Sequence, residues 1–381
     1  MPTASDRITI AAVGDVSTGH EPPGREFEHV LDRLRAADLR FAQAERVYSD
    51  RGQYQEQVIS KHSRQPPRFA RAFKSVPFDV VSIASNHTGS WGPESVIDTA
   101  DAFRALGIPA IGAGRNITEA RKPAIVECKG TRIAFLGYVS VILPQFWANE
   151  TRAGAVPMRA HTYYEPYEFQ PGAPPRVVTV PHAADLEHLV ADVRDAKAHS
   201  DLVFVSFHWG VHHIPQPCDY QRVVAHAAID AGANGILGHH PHQQQGVEIY
   251  RGAPIFYSMG NFAVHRTSSK KSGRYYGAPG GEYSFEQIYT LEPDPGVVFA
   301  YNRHYNESGV VLIDADRGGV ANVAYLPTSL NEIGQPQVIA PGTPEFEKSL
   351  VYLNWCGKFI PGGVTDMTAD VDRYQIYARS E

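Results

Sequence analysis

Long apolar runs are missing from this 381-residue chain: none approaches the roughly 20 residues that a membrane-crossing helix needs. Cysteine is nearly as scarce. Three of them (Cys128, Cys218, Cys356) are too few and too scattered for a disulfide framework or a thiolate metal site. Excess positive charge is also absent, since 35 Lys and Arg face 41 Asp and Glu, for a formal charge of −6. Nucleic acid is therefore not an expected partner, because binding its phosphates needs concentrated Lys and Arg. A small anionic substrate stays compatible, as a bound metal can supply local positive charge. The opening stretch, MPTASDRITIAAVGD, passes from a short polar lead straight into a strand-like run, which leaves no room for a secretory signal. These absences together predict a cytoplasmic protein with a small-molecule substrate and no membrane partner. An oligomer is compatible with all of them.

The chain does have the makings of a large core. An apolar fraction of 43% with 20% charged residues is that of a folded protein. Strand-like and helix-like segments alternate. Ile8 to Val13 is a compact apolar run, residues 26–36 place Phe27, Val30, Leu31 and Leu34 on one helical face, and Phe78 to Ala84 reads as a buried strand. Pro93 to Leu106 has proline in its first turn and Gly107 just past its end, as a helix should. A hairpin is expected around Lys129-Gly130, helices at about 183–199, 220–231 and 344–353, and strands at Leu202–Phe207, Gly235–Leu237, Pro254–Tyr257, Gly309–Asp314 and Val320–Tyr325. This rhythm predicts an α/β layered fold with mixed sheets, forming one domain over residues 1–381. Residues 140–181 and 263–306, rich in aromatics, proline and glycine, read as irregular insertions that either pack on the surface or face a substrate. A C-terminal extension begins at about residue 329.

What is abundant is histidine, with 17 in the chain. Asp15 follows ITIAAVG, Asn86-His87 follows FDVVSIAS, His208 follows LVFVSF, and His240-Pro241-His242 follows GILGH. Each thus lies just past an apolar strand, where open α/β sheets bind ligands. Singly, each has a plain structural use as a turn, a helix cap or a packed ring. Jointly they suit a metal. Proline biases its predecessor toward an extended backbone, in which residues two apart share a side, so His240 and His242 are expected to reach one cluster. Carboxylate, amide and imidazole donors suit one or two divalent transition metals (Mn, Zn, Fe, Co or Ni). His87, beside a presumed ligand, is placed to protonate a leaving group.

The order Gly14-Asp15, Glu45, Asn86-His87, His208-Trp209-Gly210, Gly238-x-His240-Pro241-His242 and Tyr257-Ser258-Met259-Gly260-Asn261-Phe262 resembles the CapA family. That family is named for a protein of poly-γ-glutamate capsule synthesis and lies in the calcineurin-like metallophosphoesterase superfamily. The resemblance spans about residues 8 to 328, and is most specific from Phe204 to Phe262. It implies a four-layer α/β/β/α sandwich with a two-metal site. Asp15 and His242 would bind the first metal, Glu45 would bridge, Asn86, His208 and His240 would complete the second, and His87 would be the general acid. Two metals about 3.5–4 Å apart can activate a water and neutralise charge on the attacked group. The chain departs from the pattern in three places. Gln43-Ala44 replaces Asn-Leu before the acid, Ser17 stands where many phosphoesterases have His, and His212-His213 replaces Glu-Tyr after His208-Trp209-Gly210. His20, His212, His213 and Asn261 are further candidates for substrate or auxiliary metal contacts. The activity implied is a metal-dependent hydrolase acting on a phosphoester or a related small polar substrate. The alternatives are γ-glutamyl amide hydrolysis or transfer, and a non-catalytic role in capsule assembly.

Overall fold

The computed structural model describes residues 7–55, 64–166, 168, 172, 175–265 and 303–379. Two mixed sheets face each other. In the larger, the strands Ile8–Ser17, Leu39–Ala44, Val80–Ser82 and Ala110–Ile111 run parallel in that order. Glu307–Asp316 pairs antiparallel on the other side of Ile8–Ser17, followed by Gly319–Leu330, Arg373–Ala378 and Thr368–Asp370. The smaller sheet sets Thr131–Val139, Leu202–His208, Gly235–His239 and Ala253–Phe256 parallel, with antiparallel edges at Ala124–Cys128 and Val247–Tyr250.

Period-two alternation sorts the side chains into layers. Ile8, Ile10 and Ala12 join Phe135, Leu202 and Phe204 between the sheets, while Ala11 and Val13 point the other way, onto Phe27, Phe73 and Phe103. Val203, Val205 and Phe207 pack outward against Leu189, Val193, Val224 and Ala228, on the helices Ala183–Ala198 and Asp219–Asp230. Three apolar layers thus separate four layers of structure, the expected α/β/β/α sandwich. Phe41, Phe135 and Phe204 stack in series across the central layer, with ring centroids 5.5 and 5.7 Å apart.

Several expected elements differ. Residues 26–36 do not make one helix but a turn at Arg25–Phe27 and a short helix at Leu31–Arg35. The reason is Glu26, which is completely buried and whose carboxylate accepts the backbone N–H groups of Gly19, His20 and Gly24. The strand Leu39–Ala44 has no counterpart among the expected elements, because Arg40 and Gln43 interrupt its apolar pattern. Both are satisfied in place: Arg40 Nε donates to Asp79 at 2.9 Å and Gln43 Nε2 to the Ala84 carbonyl at 3.0 Å. Residues 140–181 are in part regular. Ala160–Glu165 and Arg176–Pro181 form an antiparallel hairpin, and Phe146, Ala148, Val156 and Met158 are buried in the core. Prolines at its ends conceal the strand period. Of the second expected insertion, residues 266–302 lie outside the described residues. The chain beyond residue 329 supplies Pro336–Val338, Thr368–Asp370 and Arg373–Ala378 to the larger sheet, so this extension is integral to it. Among the described residues, no helix is long and apolar enough to cross a membrane.

The helix Ala183–Ala198 is fixed at its start by a charged fork. Asp185, buried, accepts hydrogen bonds from Arg159 Nε at 2.7 Å and Arg159 Nη2 at 2.6 Å. Burial raises the Asp185 carboxyl, but the side-chain and backbone hydrogen bonds from Arg159 outweigh it and hold the group below its ordinary value. A carboxyl so depressed adds stability above the unfolded-chain value of about 3.9 and loses it as pH falls through the folded value. Asp185→Asn is expected to cost about 2 kcal/mol at pH 7. In urea unfolding, the gap from wild type should close as the pH is lowered below about 4.

Candidate metal centre

Asp15 is aimed by an irregularity in its strand. The register against Leu39–Ala44 shifts between Val13 and Asp15, a bulge of the sort that re-aims side chains beside active sites. Asp15 N donates to the Gly260 carbonyl at 2.9 Å, and its carboxylate is 1% exposed. Glu45 follows the next strand. Its N–H is held by the Val16 carbonyl, its Oε2 accepts the Ser17 hydroxyl at 3.3 Å, and its Oε1 lies 3.2 Å from His242 Nε2. Ser17 therefore positions Glu45. Asn86 and His87 sit in a tight turn made by Ser85 and Thr88: the Thr88 hydroxyl accepts Ser85 N and donates to the Ile83 carbonyl, each at 2.8 Å.

The second sheet supplies the imidazoles. His208, completely buried at the end of Leu202–His208, brings Nε2 within 3.1 Å of Asn86 Oδ1 and 3.2 Å of His240 Nδ1. His240 and His242 do not reach the cluster through the extended backbone that the proline suggests. Their φ angles are +98° and +56°, in the left-handed region. Such conformations persist where surrounding contacts over-determine them. Here His240 N donates to Asp15 Oδ2 at 3.2 Å, and His213 N to the Pro241 carbonyl at 2.8 Å.

The six expected ligands thus come together as two groups. Asp15, Glu45 and His242 offer one ligand atom each within 4.8 Å of one another. Asn86, His208 and His240 converge as above. Asp15 reaches both, with Oδ2 3.7 Å from His242 Nδ1 and Oδ1 3.8 Å from His208 Nδ1. Glu45, expected to bridge, has its short contact on the His242 side.

The electrostatics favour a cation. Burial pushes His208, His240 and His212 well below the ordinary histidine value, His87 down to about 4, and His213 and His239 to about 3. All six are neutral at pH 7, which is the form that binds metal. Burial, then the neighbouring Glu45, raises Asp15, against the N–H of His240. Asp15 Oδ1, His208 Nδ1 and both ring nitrogens of His239 are buried with no hydrogen-bond partner among the described residues, and Glu45 Oε1, also buried, has its close contact with His242 Nε2 without hydrogen-bond geometry. Buried polar atoms ordinarily have partners, and a positive ion among these oxygens and neutral imidazoles would answer that lack. The residues present fit a divalent metal.

Of the other candidates, His20 has its ring edge-on to His265 at 4.8 Å and its backbone N–H held by Glu26. His212 and His213 lie against the rings of His240 and His242. Asn261 is a supporting residue. Its Oδ1 sits 2.8 Å from His242 Nδ1, while its Nδ2 donates to the carbonyls of His242 and Tyr305. With Nδ1–H given to Asn261, His242 presents Nε2 toward Glu45, as a ligating histidine fixed by a second partner does. Asn261→Ala is expected to weaken metal binding by about 10–100-fold without removing a ligand, measurable by competition with a chromophoric chelator. Sequence reasoning missed His239, which puts Nδ1 3.7 Å from Asp15 Oδ1. It also missed Tyr305, whose ring lies 6.0 Å from that of His242. His239 is the x of the Gly238-x-His240 pattern, so no motif marks it.

A four-layer sandwich that gathers oxygen and imidazole donors at the carboxyl ends of strands from both sheets defines a metallophosphoesterase-like protein. More narrowly, residues 9–266 match the bacterial capsule synthesis protein PGA_cap, and the chain belongs to that family. It is 29% identical over 313 residues to the PGA biosynthesis protein CapA of Bacillus subtilis, covering 77% of this chain and 76% of that one. It is 25% identical over 358 residues to the capsule biosynthesis protein CapA of Bacillus anthracis, covering 91% and 72%. A probable polyglutamine synthesis accessory protein of Mycobacterium tuberculosis is 29% identical over 186 residues, covering 48% of this chain and 44% of that one.

Proposed function

We propose that this centre holds one or two divalent transition metals and hydrolyses a phosphoester or a related small polar substrate. The observation that carries the reading is the convergence of two carboxylates, one amide oxygen and three imidazoles, several with buried atoms that have no hydrogen-bond partner among the described residues. Asp15, Glu45 and His242 would hold one ion, and Asn86, His208 and His240, with Asp15, the other. A metal bound there would polarise the attacked group and lower the pKa of a water. The protein's own residues supply orientation and proton handling. Asn261 and Ser17 fix His242 and Glu45. His87, half-buried and neutral, would give a single N–H to a leaving-group oxygen rather than act as an imidazolium. The test is elemental analysis of protein purified without chelator, beside turnover of p-nitrophenyl phosphate. Absence of any transition metal, with none taken up on addition, defeats the reading.

A second reading keeps the centre and changes the bond. The names of the two CapA relatives, for PGA and capsule biosynthesis, favour a γ-glutamyl amide as the group attacked. Screening γ-glutamyl peptides beside the phosphoester separates the two, since a phosphoesterase should turn over the latter at least slowly. The word accessory in the mycobacterial relative's name favours a non-catalytic assembly role. That role predicts that His87→Ala leaves the biological effect intact.

A further inference from the structure

The proposed chemistry gives no work to His239, the last residue of the strand Gly235–His239. Alternation along that strand puts its side chain on the face of Leu237, toward the apolar layer between the two sheets, and its ring lies 6.1 Å from that of Phe41. The side chain is completely buried, and neither ring nitrogen has a hydrogen-bond partner among the described residues. Its backbone is fixed on both sides: the His239 carbonyl accepts Trp209 N at 3.0 Å, and the Gly238 carbonyl accepts Met259 N at 2.9 Å. Buried polar atoms without partners cost stability, and an apolar side chain of similar shape would avoid that cost. Packing alone therefore does not account for a histidine here.

What Nδ1 faces does account for it. His239 and His208 are register partners on neighbouring strands, and both bring Nδ1 to the same atom, Asp15 Oδ1, at 3.7 and 3.8 Å. That oxygen is itself buried without a hydrogen-bond partner among the described residues. Asp15 Oδ2 instead accepts His240 N at 3.2 Å and lies 3.7 Å from His242 Nδ1. The two oxygens of Asp15 are thus divided, one toward His240 and His242, the other toward His208 and His239. A neutral imidazole carries one N–H, and its tautomer follows from what each nitrogen faces. Nε2 of His239 has no acceptor among the described residues, whereas Nδ1 faces a carboxylate, so the proton belongs on Nδ1. At 3.7 Å the contact is longer than a hydrogen bond. It acts as a charge on a dipole, which buried surroundings of low dielectric strengthen.

We propose that His239 is a positioning residue of the centre, whose Nδ1–H anchors Asp15 Oδ1 from the layer between the sheets and so holds Oδ2 toward the ligand groups. The inference rests on the reading of Asp15 as a metal ligand. It gives the unmarked residue of Gly238-x-His240-Pro241-His242 the part played by the outer partner of a ligating carboxylate, which sets orientation without touching the ion.

The test compares the full chain with His239→Leu, which fills the space without an N–H, and His239→Asn, whose amide can place an N–H where Nδ1 carries one. Two quantities are read: zinc affinity and stoichiometry by competition with a chromophoric chelator, and the urea midpoint of the metal-free protein. The anchor predicts that His239→Leu unfolds at the same or a higher urea concentration, yet binds zinc about 10–100-fold more weakly at unchanged stoichiometry. It also predicts that His239→Asn recovers most of that affinity. Wild-type affinity in the leucine variant, or an asparagine variant that binds no better than the leucine one, overturns the proposal. So does affinity that falls only in step with stability, which is the mark of packing. Loss of one equivalent of metal in both variants makes His239 a ligand and overturns it equally. Should wild type take up no transition metal, the hydrolase reading fails, and nitrogen NMR of the histidine-labelled, metal-free chain still decides the anchor. The resonance missing from His239→Leu identifies His239; protonation at Nδ1 supports the proposal, and protonation at Nε2 overturns it.

Discussion

On the proposed reading, His208→Ala and His240→Ala are each expected to lose bound metal and, with it, turnover by roughly a thousandfold, equivalent to about 4 kcal/mol of transition-state stabilisation. The expectation comes from how little slack these side chains have. His208 is completely buried, with one ring nitrogen 3.1 Å from Asn86 Oδ1 and 3.2 Å from His240 Nδ1 and the other facing Asp15 at 3.8 Å. Truncation removes one donor and frees two others from the position it dictates. The imidazoles are already neutral at pH 7 because burial lowers them, so no proton has to be displaced from His208 or His240 when a metal enters. The loss in the variants is therefore a loss of ligand, not a change of protonation. Heat denaturation supplies an independent readout. A divalent ion at about 100 times its dissociation constant should stabilise wild type by roughly 2.7 kcal/mol and leave the two variants unmoved. Circular dichroism of the metal-free forms separates ligand loss from misfolding. A variant that keeps both its metal and its rate removes that histidine from the centre.

The motif residues were legible because their constraint is local. Gly14-Asp15 and Gly238-x-His240-Pro241-His242 each end an apolar strand, and strand ends can be read from period and composition. The sandwich was legible for the same reason, since alternation along Ile8–Ser17 and Leu202–His208 separates an inner from an outer layer. The illegible parts depend on partners distant in sequence. Arg40 and Gln43 look wrong for a buried strand until Asp79 and the Ala84 carbonyl are in place. Glu26 resembles an exposed helical residue, yet it closes a loop by taking three backbone N–H groups. His239 becomes part of the centre only when Asp15, far away in the chain, arrives beside it. The left-handed turns of His240 and His242 run against the local preference that proline sets, and tertiary hydrogen bonds from His240 N and onto Pro241 hold them.

Gly14→Ala tests whether the centre depends on a close approach of two backbones, and it touches no donor atom. A Cβ at residue 14 would lie 2.0 Å from the Gly260 carbonyl oxygen and 3.0 Å from that of Met259. Those atoms are main chain, so no side chain can swing aside. Neither backbone has freedom to retreat. Gly14 lies in a strand paired with Leu39–Ala44 on one side and Glu307–Asp316 on the other, and Asp15 N holds the same Gly260 carbonyl at 2.9 Å. Gly260 itself has φ +71°, so it too resists replacement. Forced separation would move Asp15 and Asn261, which are register partners, and through Asn261 the His242 ring. The expected cost is about 3 kcal/mol or more, the upper end for overpacking a rigid interior, together with a large fall in metal occupancy. Gly107→Ala is the control: its φ is +71°, but nothing lies within 4 Å of the added carbon. It should lose only the backbone strain of about 1–2 kcal/mol and keep its metal. Urea unfolding and metal analysis of the two variants side by side decide the matter. Equal stability and equal metal content would mean that the contact between Gly14 and Gly260 does not set the position of Asp15.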